Sequence, residues 1–381
     1  MLAARPWDLF CHVIDNYGDV GVCWRLAVDL AQRGIPVRLW IDDDSALQWM
    51  APGAQQGRWA GIQVLPWKRA SDAGTLATLE PAAVWIEAFG CELPDAFVAH
   101  GVSLASAGCD RPVWINLEYL SAERFAQRAH GLASPVLHGV ARGWTKFFYY
   151  PGFTPGSGGL LRESDLGVRR QQFDRSDWLA ARGIGLQGER LVSLFCYEPQ
   201  GLSTLLTHWR QGPRPTRLLV TAGRATAAVH AAAPCSPEAT RHVTGQLAID
   251  FLAPLSQLEF DHLLWACDLN LVRGEDSVIR ALWAARPFVW QIYPQHDAAH
   301  HAKLEAFLEA LAAPDSIRLA HHAWNGITPA APSAIADPPG TWGEWASETA
   351  ARLRQQNDLV TRLLAFVQKM RQHASRPAGK S

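Results

Sequence analysis

The sequence predicts an α/β protein made of two Rossmann-like domains that face a central cleft. The chain has 381 residues, a length typical of two domains. Short apolar runs alternate with helical patterns in both halves, which is typical of parallel sheets covered by helices. Because doubly wound sheets bind ligands at the carboxyl ends of their strands, the site is expected in the cleft between the domains.

The N-terminal half begins with an apolar strand and a helix. Val22, Leu26 and Leu30 repeat every four residues, which predicts a helix over residues 22–33. A Gly/Pro-rich loop at 149–159 and a charged segment at 162–177 precede a domain boundary that we place near residue 185. The strands predicted before that boundary cover residues 8–14, 37–42, 62–66, 84–88 and 113–117.

The C-terminal half restarts the same alternation. Its predicted strands cover residues 190–196, 218–221, 247–252, 269–272 and 288–292, and its clearest helices cover 257–267, 275–285 and 298–312. A Pro/Ala-rich connector, 328–340, leads to one long amphipathic helix at 342–373. We therefore assign residues 1–184 to the first domain and 185–341 to the second, with the last helix expected to pack back on the first.

Composition narrows the class of protein. The formal net charge of −1 gives no general electrostatic attraction to nucleic acid or to a membrane surface. The 7 cysteines are scattered, without a C-x-x-C pair, and several lie in apolar runs. Buried free thiols in a reducing compartment are expected. With neither a signal peptide nor a run of about 20 apolar residues, the sequence predicts a cytoplasmic protein.

The turn between the first strand and the first helix carries an unusual pair of carboxylates. Asp15 and Asp19 stand where a dinucleotide-binding unit would have glycines in the pattern G-x-G-x-x-G. Carboxylates at that point would repel a diphosphate. The turn therefore indicates acid–base chemistry or a cationic substrate.

A second candidate site follows the predicted strand 269–272. Asp276 and Ser277 are residue types that cap helix N-termini, where unpaired backbone N–H groups bind anions. With Arg273 beside them, the segment indicates a pocket for a nucleotide diphosphate. Glu275 would serve another group there, either a sugar hydroxyl or a cationic acceptor. An ordinary helix cap with acids favoured by the helix dipole explains the same residues equally well.

Two further patterns are less specific. Phe195 and Tyr197 lie on one face of a strand, where a base could stack, although core packing is the commoner role. His296, His300 and His301 have a metal-like spacing but no second cluster, so no metal site is expected. Neither G-x-S-x-G nor a P-loop motif occurs, which disfavours a nucleophile-elbow hydrolase and a P-loop NTPase.

Three segments together resemble a known family. Residues 15–26, 273–277 and 287–295 closely resemble the bacterial protein-arginine rhamnosyltransferases that modify elongation factor P, and the likeness extends from Trp7 to about Val367. The resemblance implies a GT-B fold and an inverting transfer of L-rhamnose from dTDP-β-L-rhamnose. The acceptor would be one arginine of elongation factor P, and no metal or other cofactor is expected.

The resemblance also implies roles for individual residues. Asp19 would be the general base, Asp15 its companion acid and Glu275 a second catalytic acid. Residues 1–184 would form the acceptor domain and 185–341 the donor domain. The chain departs from the family after Ser277, where Val278 and Ile279 stand in place of a frequent aromatic residue. The donor-binding residues implied are Asn16, Tyr17, Gly18, Phe195, Tyr197, Gln257, Arg273, Gly274, Asp276 and Ser277.

Two other functions are compatible with the sequence. A nucleotide-sugar epimerase or hydrolase of the same fold would release dTDP without a protein partner. A non-enzymatic module that binds elongation factor P would use Asp19 only for contact, so that its loss would weaken binding without abolishing a reaction.

Overall fold

The computed structural model describes residues 5–14, 17–233, 236, 239–294, 299–328 and 333–374. The strands are β1 (Trp7–Cys11), β2 (Val37–Ile41), β3 (Ile62–Pro66), β4 (Val84–Ala88), β5 (Val113–Leu117), β6 (Ala133–Pro135), β7 (Thr145–Tyr149), β8 (Arg190–Leu194), β9 (Thr216–Val220), β10 (Arg241–Thr244), β11 (Leu247–Phe251), β12 (Leu269–Arg273) and β13 (Phe288–Gln291). The α-helices are α1 (Gly18–Gln32), α2 (Leu47–Met50), α3 (Ala73–Ala77), α4 (Asp95–Ser106), α5 (Arg124–Ala129), α6 (Leu166–Gln172), α7 (Arg175–Ala180), α8 (Leu202–Gln211), α9 (Arg224–Ala232), α10 (Gln257–Ala266), α11 (Gly274–Ala284), α12 (Ala299–Ala310), α13 (Asp315–Trp324), α14 (Ser333–Ala336), α15 (Thr341–Arg354) and α16 (Leu359–Ala374).

The chain forms two compact units. The first unit comprises Met1–Ser164 and Gln356–Ser381, and the second comprises Asp165–Gln355, as far as their residues are described. The division falls at residue 164, earlier than the boundary near 185 expected from the sequence. The charged segment after it belongs to the second unit because Arg169 pairs with Asp261 at 2.9 Å and Arg175 with Asp268 at 3.1 Å.

Each unit is built on a largely parallel sheet. The first sheet has the strand order β3-β2-β1-β4-β5-β7-β6, and the second has β10-β11-β9-β8-β12-β13. The edge strands β6 and β10 run antiparallel to their neighbours. Every residue of the central strands β1, β4, β8 and β12 is buried, as in parallel sheets covered on both faces by helices. Two Rossmann-like α/β domains are thus confirmed.

The strands β6, β7 and β10 were not expected from the sequence. Apart from the buried Tyr149 at the end of β7, their residues are half-buried or exposed, and their apolar periodicity is weak. No helix among the described residues has the length and apolarity needed to cross a membrane.

The single long helix predicted over 342–373 is wrong, because two helices occupy this segment. The second, α16, begins after Asp358, whose carboxylate accepts hydrogen bonds from the Thr361 N–H at 2.8 Å and hydroxyl at 2.7 Å. Leu363 and Val367 of α16 are buried in the core of the first unit. The first helix, α15, belongs to the second unit, where the Trp345 indole donates to the Leu311 carbonyl at 3.2 Å. Thus α16 alone packs back on the first unit.

Candidate active site

In the first unit, Asp19 lies in the first turn of α1 and is 2% exposed. Its Oδ2 accepts a hydrogen bond from the backbone N–H of Ile14 at 2.9 Å. The N-terminal end of a helix favours a carboxylate there. Tyr17 precedes Gly18, the first residue of α1, and its ring packs edge-on against Trp49 with centroids 5.0 Å apart.

Two expected site residues of this turn, Asp15 and Asn16, lie outside the described residues. Residues 12 and 13, just before this turn, are held by the side chain of Asp42, a contact that the sequence did not predict. His12 Nδ1 lies 2.6 Å from Asp42 Oδ2, and Asp42 Oδ1 accepts the N–H of Val13 at 2.9 Å. Since His12 follows β1 and Asp42 follows β2, the pair ties together the carboxyl ends of neighbouring strands.

The helix that carries Asp19 is anchored by a buried ion pair. The guanidinium of Arg25 donates to both carboxylate oxygens of Glu163, at 2.6 Å and 2.9 Å. Both side chains are buried, at 2% and 9% exposure. A bidentate pair of this kind fixes orientation as well as distance, so α1 is held rigidly against the residues before the unit boundary.

Buried thiols lie close to the Asp19 turn. Burial raises the pKa of the Cys23 thiol well above its ordinary value, and the neighbouring Cys11 thiol and Asp19 carboxylate add to the effect. Cys11, Cys23, Cys196 and Cys267 are free and buried, as the sequence predicts for its apolar runs. Near Asp19, this surrounding disfavours a thiolate nucleophile.

In the second unit, the turn from β12 into α11 presents residues 273–277, which we call the donor segment. The expectation that Asp276 and Ser277 cap the helix is wrong: the N-cap is Arg273, and α11 begins earlier, at Gly274 with φ +71°. The Ser277 hydroxyl donates instead to the Arg273 carbonyl. The N-cap Arg273 makes no side-chain capping hydrogen bond, and the first backbone N–H groups of an α-helix have no partners within the helix itself.

Arg273 lies against the aromatic pair that follows β8. Its guanidinium carbon is 4.6 Å from the ring centroid of Phe195 and 4.5 Å from that of Tyr197. The guanidinium of Arg224 lies 4.9 Å from the same Tyr197 ring. Tyr197 is 2% exposed, whereas Phe195 is half-buried. The structure therefore brings the predicted cation and both predicted aromatics together, with Phe195 the more accessible ring.

Gln257 is joined to the donor segment through Arg280, a residue to which the sequence gave no role. The buried Arg280 guanidinium donates to Asp276 at 2.9 Å and to Asp261 at 2.8 Å. It also donates to the backbone carbonyl of Gln257, the first residue of α10, at 3.4 Å. The spacing of four residues between Asp276 and Arg280 is the one sequence signal that pointed to this pair.

Glu275 forms an ion pair that sequence reasoning also missed. Lys303 Nζ, on α12, lies 2.6 Å from Glu275 Oε1. The two residues are 28 positions apart, so no local pattern links them. Gly274, the residue before Glu275, is also held in place, because the Trp290 indole N–H donates to its backbone carbonyl at 2.9 Å.

Two of the three histidines considered for a metal lie among the described residues. The rings of His300 and His301 lie 4.2 Å apart at the start of α12, and His296 lies outside the described residues. Within the part of the chain that the structure describes, no group of three or more His, Cys, Asp or Glu side chains is placed to hold a metal ion.

Two Rossmann-like units, with a cationic helix N-terminus at the carboxyl ends of the second sheet, are the arrangement of a GT-B glycosyltransferase. The sequence model of the elongation factor P rhamnosyltransferase family, EarP, matches residues 7–368. The chain therefore belongs to this family, which makes it a protein-arginine rhamnosyltransferase. The resemblance carried by residues 15–26, 273–277 and 287–295 is thereby confirmed.

Individual relatives agree with the family match. The protein-arginine rhamnosyltransferase of Pseudomonas aeruginosa is 41% identical over 94% of this chain and 98% of its own length. That of Pseudomonas putida is 43% identical over 79% of this chain and 80% of its own. A structure solved in a study of EarP-mediated arginine glycosylation of translation elongation factor EF-P superposes with a TM-score of 0.65. It is 30% identical and covers 96% of this chain and 99% of the other.

Proposed function

We propose that this enzyme transfers L-rhamnose from dTDP-β-L-rhamnose to an arginine side chain of elongation factor P, with inversion at the anomeric carbon. Support for the acceptor comes from the family description and from the related structure, both of which name elongation factor P. Support for a nucleotide donor comes from one observation, the packing of Arg273 against Phe195 and Tyr197 beside the N-terminus of α11. Because the proposed acceptor is a translation factor, we expect the reaction in the cytoplasm.

The donor segment offers what a nucleoside diphosphate needs. Arg273 supplies a positive charge, and the N-terminus of α11 supplies backbone N–H groups and the positive end of a helix dipole. Gly274, at φ +71° and without a side chain, leaves room for a phosphate to approach the backbone. We assign thymine stacking to the half-buried Phe195. Tyr197 would hold the Arg273 guanidinium in place through its ring, and Gln257 would contact the donor as well.

The acceptor chemistry follows from the charge of arginine. A guanidinium has a pKa above about 12 and offers a planar fork of N–H donors. Asp19, with Asp15, would orient this fork. One guanidinium nitrogen attacks the anomeric carbon, the bond from that carbon to the diphosphate oxygen breaks, and dTDP leaves with the electron pair. The attacking nitrogen loses its proton to Asp19 as the new C–N bond forms, which avoids full deprotonation beforehand.

We propose that the transfer requires no metal ion. Arg273 and the helix N-terminus would offset the growing charge on the diphosphate, as preorganised donors do in other transfer reactions. Full activity in EDTA would support this assignment. Loss of activity in EDTA, with recovery on adding a divalent cation, would contradict it.

An acceptor variant tests the role of the carboxylates. Replacing the target arginine of elongation factor P by lysine should abolish transfer, because one ammonium group cannot span two carboxylates as the guanidinium fork does. The variant should still bind the enzyme, and a short linear peptide should be a poor acceptor. Efficient rhamnosylation of the lysine variant would show that the carboxylates act as an unselective base.

A further inference from the structure

We propose that Lys303 is a positioning residue for Glu275 and that its charge makes the donor segment compatible with a diphosphate. The inference rests on the proposed function. Lys303 Nζ lies 2.6 Å from Glu275 Oε1, and the side chains are 23% and 19% exposed. Glu275 is the second residue of α11, next to the N-cap Arg273.

The charges of the donor segment explain why such a partner is needed. The segment carries two carboxylates, Glu275 and Asp276, beside one guanidinium, Arg273. Asp276 is neutralised by Arg280, which is shared with the buried Asp261. Without Lys303, the Glu275 carboxylate in the first turn of α11 would lose this positive charge and would repel a dianionic or trianionic ligand more strongly. Lys303 removes this repulsion while leaving the carboxylate in place.

Lys303 is also held in place by the packing of its own helix. Neighbouring residues on α12, Leu304, Phe307 and Leu308, are buried. The Phe307 ring lies 4.7 Å from the ring of Trp290, whose indole donates to the Gly274 carbonyl. Thus α12 is locked to the same turn that Glu275 occupies. The ion pair with Lys303 therefore favours the orientation of the Glu275 side chain in which its carboxylate faces α12.

Calorimetry with dTDP as the probe tests this role through a double-mutant cycle. Lys303→Met should weaken dTDP binding about tenfold, equivalent to about 1.4 kcal/mol. Adding Glu275→Gln to Lys303→Met should restore most of the affinity, because the repulsive charge is then gone. A role of Lys303 in general stability would not produce this rescue. Lys303→Arg should bind almost as the parent does, and Lys369→Met, at an exposed lysine of α16, is the matched control.

The possible results separate this role from the proposed function. If Lys303→Met binds dTDP like the parent, or if Glu275→Gln gives no rescue, the positioning role is overturned while the donor assignment stands. If the parent enzyme does not bind dTDP, the donor assignment itself fails, and the role of Lys303 fails with it. Circular dichroism checks that each variant folds, and Lys303→Gln replaces the methionine variant if that one does not.

Discussion

Replacing Arg280 by methionine should destabilise the second unit and weaken its donor site together. Arg280 is 3% exposed and joins Asp276, Asp261 and the Gln257 carbonyl, so it links α11 to α10 behind the donor segment. Methionine keeps most of the side-chain volume but removes the charge and all of these hydrogen bonds. The variant therefore measures the combined contribution of the charge and the hydrogen bonds of Arg280, with little change in side-chain volume.

The size of this effect depends on the interactions that Asp261 and Asp276 keep when Arg280 is replaced. Removing one partner of a buried ion pair typically costs about 3–5 kcal/mol. Asp261 would keep its ion pair with Arg169 at 2.9 Å. Asp276, whose side chain is 16% exposed, would still contact solvent and interact with the positive end of the helix dipole. We therefore expect a loss near the lower end, about 3 kcal/mol in the free energy of unfolding. The affinity for dTDP should fall as well.

Urea unfolding followed by tryptophan fluorescence measures the first effect, and calorimetry with dTDP measures the second. Arg280→Lys should lie between the parent and Arg280→Met, because it keeps the charge but cannot form the same set of bonds. Arg214→Met, at an exposed arginine of the same unit, is the matched control and should change little. A change in unfolding free energy below about 0.5 kcal/mol for Arg280→Met, the range of ordinary surface substitutions, would contradict this role of Arg280.

Further predictions concern the reaction, the donor and acid stability. Asp19→Ala should abolish rhamnosyl transfer in a mass-spectrometric assay yet bind dTDP as the parent does; a large loss of dTDP affinity would contradict the assignment of a base. Arg273→Ala should weaken dTDP binding in calorimetry by about 1–3 kcal/mol, the range for hydrogen bonds to charged groups. Ser277→Ala should have a smaller effect, because its hydroxyl already donates to the Arg273 carbonyl; equal losses would argue against this. Burial lowers the pKa of His321 to about 4. Since the unfolded chain binds this proton near pH 6.5, the free energy of unfolding should fall as the pH drops from about 6.5 to 4, and His321→Phe should reduce that dependence in urea titrations at pH 7 and pH 5. An unchanged pH dependence in this variant would show that His321 does not cause it.

The parts of the fold that depend on local pattern were predictable from the sequence. Buried central strands such as β1 and β4 are continuous apolar runs, and α1 has a clear four-residue spacing. The break between α15 and α16 was missed because apolar residues continue at helical spacing on both sides of it. The Asp358–Thr361 cap that starts the new helix is a short signal within that pattern.

The candidate site likewise contains residues that the sequence predicted and residues that it did not. Arg273 ends β12, and Phe195 and Tyr197 lie within three residues of the end of β8. Such positions near strand ends made these residues predictable, and the structure brings them into contact. Lys303 could not be predicted, because its link to Glu275 depends on how α12 packs beside α11. The capping role expected of Asp276 was wrong because Gly274 lets the helix start earlier, which places the acid inside the first turn.

Intact-mass measurement of elongation factor P is the most direct test of the proposed rhamnosyl transfer. The parent enzyme, elongation factor P and dTDP-β-L-rhamnose are incubated together, with reactions lacking enzyme or donor as controls. We expect one added deoxyhexose, located on an arginine by fragmentation, with release of one dTDP for each modification. An unchanged mass of elongation factor P while dTDP is released, or while the two proteins bind without reaction, would contradict it.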